Sequence, residues 1–185
     1  MFAIMSSTSN PWQTKSKNIL FENPWIVLED HEVINPSGNP GKYSKVHFKN
    51  RAVAILPVSE DLETWLVGQY RYTLDQYSWE LPMGGVPYDE DLLLGAQREL
   101  IEETGLTAAK WEQVMVLHTS NCVTDEVGYV YLATDLQQGP AQPDETEALV
   151  VKKLPLKAAY EMAMNGTITD AISVAALLRL APSLW

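Results

Sequence analysis

Glu99, Glu102 and Glu103 lie three and four residues apart near the end of the stretch GAQRELIEETGL. On a helix, Glu99 and Glu103 share a face and Glu102 stands beside them. Like charges at these spacings destabilise a helix. Negative charge near a helix C-terminus also opposes the macrodipole. The plain reading is a solvated acidic face, because exposed carboxylates are common. The chemical reading is a set of oxygen donors for hard divalent cations, whose binding removes the repulsion.

Elements must exist to hold these residues. From Asp89 onward the pattern is helical, with Leu92, Leu93, Ala96 and Leu100 on one side and Gly105 as the stop. Upstream, Pro82, Gly84, Gly85 and Pro87 predict a loop. RAVAILPV (51–58) is an almost continuous apolar run and reads as a strand buried on both faces. TWLVGQYRY (64–72) is the next strand, and further strands are expected at 111–117, 127–133 and 149–154. Asp135 to Glu147 reads as a polar, flexible loop. Two helices, 156–164 and 170–180, close the chain around Gly166. Near the other end, residues 18–34 suggest two strands broken at Asn23-Pro24, and NPSGNPG turns the chain into a third, KYSKVHF (42–48). Strands with one central helix and terminal helices describe an α+β sandwich.

Length and charge narrow the function. The chain has 185 residues and a formal net charge of -11. That suits one main domain with a small extra lobe, and it repels polyanions such as duplex DNA. No nucleic-acid partner is therefore expected. Cys122 is the one cysteine, so no intramolecular disulfide forms, which fits a reducing compartment. The N-terminus lacks a signal-peptide pattern, and no run approaches bilayer-spanning length. A cytoplasmic protein without a membrane partner is expected. Residues 1–17 are expected to be a flexible tail, 18–48 a β-lobe, and 49–185 the main domain.

The acidic residues belong to a longer pattern. Gly84, Glu90, Arg98-Glu99-Leu100, Glu102-Glu103 and Gly105-Leu106 read G-x5-E-x7-R-E-U-x-E-E-x-G-U, with U apolar. A chance match has odds on the order of 10⁻⁹ per start position. The pattern is the Nudix box, and the chain resembles the Nudix hydrolase family. The resemblance implies an α/β/α sandwich with a mixed sheet. It also implies cleavage of a nucleoside diphosphate linked to a second group, with divalent cations, usually Mg²⁺ and alternatively Mn²⁺. Glu99 and Glu103 then become the main metal ligands, Glu102 a further ligand with a catalytic share, and the carbonyl of Met83 another donor. Arg98 is expected to orient the glutamates by bidentate pairing. Glu90 is expected to be structural, at the start of the helix. Gly84 and Gly85 let the backbone approach the phosphates.

The flanks bear on substrate. Gln69-Tyr70-Arg71 and Trp79-Glu80-Leu81-Pro82 resemble the subgroup that acts on ADP-ribose and related nucleoside diphosphate sugars, with Met83 in place of the usual alanine. Arg71 and Arg51 are candidate phosphate or ribose contacts; the alternative for each is a surface arginine. Many ADP-ribose pyrophosphatases carry a proline a short way beyond the box. Here HTSNCVTDE has none, though it keeps the Asp125-Glu126 ending. Other nucleoside diphosphate sugars thereby become comparable candidates. The resemblance places the general base on a mobile acidic loop, at Asp144 to Glu147, with Glu145 preferred and Glu147 as the alternative base or metal ligand. It also implies a homodimer formed through the N-terminal lobe. There Trp25 either stacks on a base or fills a core or interface.

Other chemistries lack their motifs. GNPGK has the wrong spacing for a P-loop. No G-x-S-x-G occurs, and His31, His47 and His118 show no zinc spacing. The tyrosine that marks the family's dinucleoside polyphosphate hydrolases is not evident in HTSNCVTDE, and Tyr129 and Tyr131 lie later, on a strand. A nucleotide-binding module without turnover would not need the box glutamates, which are intact.

Overall fold

The computed structural model describes residues 9–140 and 148–184. Its central strand is the fourth in chain order, β4 (Asn50–Pro57), in which Val53 through Leu56 expose no surface. A strand covered on both faces needs apolar residues at successive positions, as RAVAILPV supplies. Antiparallel to it runs β7 (Met83–Pro87), and parallel to it β9 (Val127–Gln138), with β8 (Leu106–His118) outside β9. A second sheet sets β5 (Glu63–Arg71) between β6 (Gln76–Glu80) and β10 (Val150–Pro155), all antiparallel.

Helices cover both faces of β4. Val53 and Ile55 pack with Ala96 and Leu100 of α1 (Leu92–Thr104). Ala54 and Leu56 pack with Leu156 and Ala159 of α2 (Leu156–Met164) and with Ile172 and Leu177 of α3 (Ala171–Leu180). The period of two along a strand sends alternate residues to opposite cores. The result is the expected α/β/α sandwich with a mixed sheet.

The helix that carries the acidic residues is bounded at both ends. Asp91 caps it, its side chain accepting from the Leu93 and Leu94 amides at 2.9 and 3.1 Å. Gly105 ends it with φ 72°, its amide donating to the Ile101 carbonyl at 2.8 Å. α1 therefore starts three residues later than expected, because Pro87 to Glu90 forms a closed turn. The loop expected at 82–87 is also different. Met83–Pro87 is an edge strand of the sheet, where glycine and a terminal proline are tolerated. β8 and β9 are longer than expected and pair from Leu106↔Gln138 to His118↔Val127, so residues 135–138 belong to a strand and not to the polar loop.

The chain divides into two compact units, and residues 120–125 group with the N-terminal one rather than with 50–119 and 126–185. In the lobe, β1 (Gln13–Glu22), β2 (Ile26–Ile34) and β3 (Pro40–Phe48) form an antiparallel sheet. β1 opens at Gln13, inside the expected tail. All ten of its residues are exposed, so no hydrophobic period marks it in the sequence. Residues 120–125 fasten to β3 through the Asp125 carboxylate. It accepts from Lys45 Nζ at 2.9 Å, the Phe48 amide at 2.9 Å, and His47 Nδ1 at 2.7 Å. Burial pushes this carboxyl up, but the hydrogen bonds from Lys45, His47 and Phe48 outweigh it and hold its pKa at about 2.

Candidate active site

β7 and α1, adjacent in sequence and packed together, build the site. Their contact begins at Gly95, where a Cβ would overlap the buried Val86 side chain. It continues at Gly84, where a Cβ would overlap the carboxylate of Glu99. The glycine expected to admit phosphate thus already admits a glutamate against the strand backbone. Gly85 is roomier, its Cβ position lying 3.1 Å from Asn50 Nδ2.

The four charged residues of α1 have distinct surroundings. Glu103 is buried at 4% exposure, and its Oε2 accepts from the Met83 amide at 2.9 Å. Arg98 Nη1 donates to Glu99 Oε1 at 2.8 Å and to Glu102 Oε2 at 2.9 Å. Its Nη2 reaches the Gly85 carbonyl at 3.3 Å and lies 3.5 Å from Glu90 Oε2. Burial works against the Arg98 charge, but Glu99, Glu90 and Glu102 outweigh it and raise its pKa further. In place of the bidentate pairing expected of Arg98, one nitrogen is shared between two glutamates. Glu90 precedes the cap instead of starting the helix, and it serves Arg98 rather than the dipole.

The donors match a hard cation in kind: carboxylates, backed by main-chain carbonyls on a strand stripped of side chains at Gly84 and Gly85. Their present directions differ from the simple expectation of three converging carboxylates. Among the described residues no three acidic, histidine or cysteine side chains converge as a metal-holding group. Glu103 faces the Met83 amide, and Glu99 and Glu102 face Arg98, because a nearby donor or cation lowers the cost of clustered negative charge. Met83 meets Glu103 through its N–H, and its carbonyl was the atom expected to bind metal.

The remaining candidates are placed as follows. Arg71 grips Glu80 with both Nε, at 2.9 Å to Oε1, and Nη2 to Oε2. Glu80 is 3% exposed, and its hydrogen bond raises the Arg71 pKa. Nη1 takes no part in that fork. Arg51 bonds to the carbonyls of Pro87 and Glu90. Trp25 belongs to the lobe and is 67% exposed. Asp144, Glu145 and Glu147 lie outside the described residues. Glu126 accepts from the Thr119 hydroxyl. Sequence reasoning missed Glu80 as the partner of Arg71 and Asp125 as the fastener of its own segment. The first left no local signal, since Arg71 stands opposite Gln76 beside the turn while Glu80 stands opposite Val67 at the far end of β6, and the contact runs diagonally between two antiparallel strands.

Comparison with known proteins draws on most of the chain. An ADP-ribose pyrophosphatase of Bacillus subtilis (strain 168) is 31% identical over 161 residues, covering 86% of each chain. An ADP-ribose pyrophosphatase of Mycobacterium tuberculosis is 32% identical over 171 residues, covering 90% of this chain and 82% of the relative. The crystal structure of an ADP compounds hydrolase superposes with a TM-score of 0.84 over 97% of both chains, at 20% identity, a likeness of fold. Residues 48–175 match the model of the NUDIX domain. That match takes in both strands of the Arg71–Glu80 grip, the β7–α1 pair, α2 and the start of α3, and the chain belongs to the Nudix hydrolase family.

Proposed function

We propose that the protein hydrolyses the pyrophosphate bond of ADP-ribose, or of a related nucleoside diphosphate sugar, giving a nucleoside monophosphate and a sugar phosphate. The observation that carries the reading is the intact carboxylate set of α1 seated against Gly84. A module that only bound nucleotide would have no use for buried and clustered glutamates. The substrate class follows the two ADP-ribose pyrophosphatases to which the chain is similar over most of its length.

Glu99, Glu103 and Glu102 would hold the divalent cations, Mg²⁺ or alternatively Mn²⁺, with the Met83 carbonyl as a further donor. When bound, such ions neutralise pyrophosphate charge and make an attacking water more acidic. Arg98 keeps Glu99 and Glu102 in register for that task. Arg71, braced by Glu80, presents Nη1 to a phosphate or ribose oxygen. A carboxylate oxygen of Glu145 takes the proton as the water oxygen joins phosphorus and the bridging P–O bond breaks. Glu147 is the alternative base. Exposed Ile19, Leu20 and Phe21 on β1, with Trp25, support a homodimer formed through the lobe. The net charge of -11 supports a small-molecule substrate over a nucleic acid, and the lone cysteine supports a cytoplasmic setting.

The test is turnover of ADP-ribose beside GDP-mannose, UDP-glucose and diadenosine polyphosphates, with Mg²⁺ and with EDTA. Metal-dependent release of AMP and ribose 5-phosphate is the expected result. Preferential cleavage of a diadenosine polyphosphate would move the enzyme to another substrate class. Binding of ADP-ribose without turnover would make it a sensor. Glu145→Gln should slow turnover and leave substrate affinity intact; damage confined to Glu147→Gln would exchange their roles.

A further inference from the structure

We infer, on the pyrophosphatase reading above, that Arg51 is a positioning residue for α1 and not a contact of the substrate. Arg51 pairs with Val86 across β4 and β7, one residue before the turn that leads into α1. Its Nη2 donates to the Pro87 carbonyl at 2.7 Å and to the Glu90 carbonyl at 2.5 Å. The Glu90 amide donates to the same Pro87 carbonyl at 3.2 Å, so a single nitrogen ties both ends of a closed four-residue turn. The Tyr88 ring, inside that turn, lies over the guanidinium with its centroid 5.4 Å from Cζ. Arg51 Nε is buried without a hydrogen-bond partner. The protein thus holds this guanidinium on its face and on Nη2, and buries its Nε away from solvent.

What the turn carries gives Arg51 its effect. Glu90 closes the turn and stands 3.5 Å from Arg98 Nη2. Asp91, the next residue, caps α1. Arg98 in turn holds Glu99 and Glu102. Arg51 therefore fixes where α1 starts and where Glu90 meets Arg98, and through them the direction of two of the three carboxylates. Lysine cannot substitute, because a point charge lacks the planar face that packs on Tyr88.

Arg51→Met and Arg51→Lys, made in the full chain, test this by three readings: ADP-ribose kinetics, Mn²⁺ binding by electron paramagnetic resonance, and amide hydrogen exchange at residues 88–91. Both variants should lower kcat about tenfold and weaken Mn²⁺ binding by a similar factor. KM should stay within about twofold, since uniform substrate binding is untouched. Exchange at 88–91 should quicken in both. A substrate contact would give the opposite split: KM raised about tenfold with kcat kept, and partial rescue by lysine. That result overturns the inference, as do unchanged kcat, Mn²⁺ affinity and exchange. Should Arg51→Met fail to fold, Arg51→Lys and Tyr88→Leu carry the same comparison. If the wild type cleaves neither ADP-ribose nor GDP-mannose nor UDP-glucose, the pyrophosphatase reading fails, while Mn²⁺ binding and exchange still decide the role of Arg51.

Discussion

Glu103 and Glu99 sit on one helix face, yet they depend on the strand beneath in different ways. Glu103 is buried and accepts a backbone hydrogen bond that an amide oxygen can also accept. Glu103→Gln should therefore keep the fold while turnover drops about 100-fold, because the lost charge matters to cations and not to the Met83 N–H. Thermal melting beside kinetics checks both halves; near-wild-type turnover would remove Glu103 from the metal set. Glu99 depends on an absence. The Cβ of Gly84→Ala would meet the end of its flexible side chain. The carboxylate would swing aside with little strain, so activity should fall at least about tenfold with Tm almost unchanged. A melting loss as large as the activity loss would show Gly84 to be structural instead. At this scale the sequence was most readable. The spacing of the glutamates and Arg98 put them side by side on α1, because side chains three and four apart on a helix share a face. Their pairings were not readable, since which neighbour neutralises a carboxylate depends on the turn and strand packed alongside.

The strand–helix pair β7–α1 is the element that delivers the site, and its tightest point is Gly95. Gly95→Ala adds a methyl that overlaps Val86, which has no exposed surface and cannot retreat. Overpacking of this kind costs about 1–3 kcal/mol, more than the helix gains from alanine over glycine, about 1 kcal/mol. A net loss of stability in chemical denaturation is the expected outcome; a stabilised variant would mean that the two elements part easily. Element existence was legible for β4, β5, α1, α2 and α3, whose apolar periods are strong. β7 was hidden, because two glycines and two prolines read as a loop until β4 is available to pair with them. β1 was hidden for the opposite reason, having no buried face to impose a pattern.

For the molecule as a whole, acid is the discriminating condition. The Asp125 carboxyl is held at about 2 in the folded lobe, below its ordinary 3.8. Its contribution is complete above its unfolded pKa and is lost as the pH falls through the interval from near 4 to near 2. Partial exposure limits that contribution to about 1 kcal/mol. Protonating other carboxylates relieves the net charge of -11 over the same range, so wild type must be compared with Asp125→Asn. The stability gap between them should be constant near neutrality and close toward pH 2; a gap independent of pH would deny the carboxylate its role. The central parallel pair has a different kind of consequence. Residues 52–57 of β4 find their partners only at 128–133 of β9. A nascent chain must therefore carry Val53 to Leu56 unpaired on that side while more than seventy further residues are synthesised. Such long-range pairing slows folding, and a waiting apolar strand invites association with other chains. Efficient production of this enzyme should thus depend on how quickly β9 leaves the ribosome, and chaperone demand should peak between the emergence of β4 and that of β9.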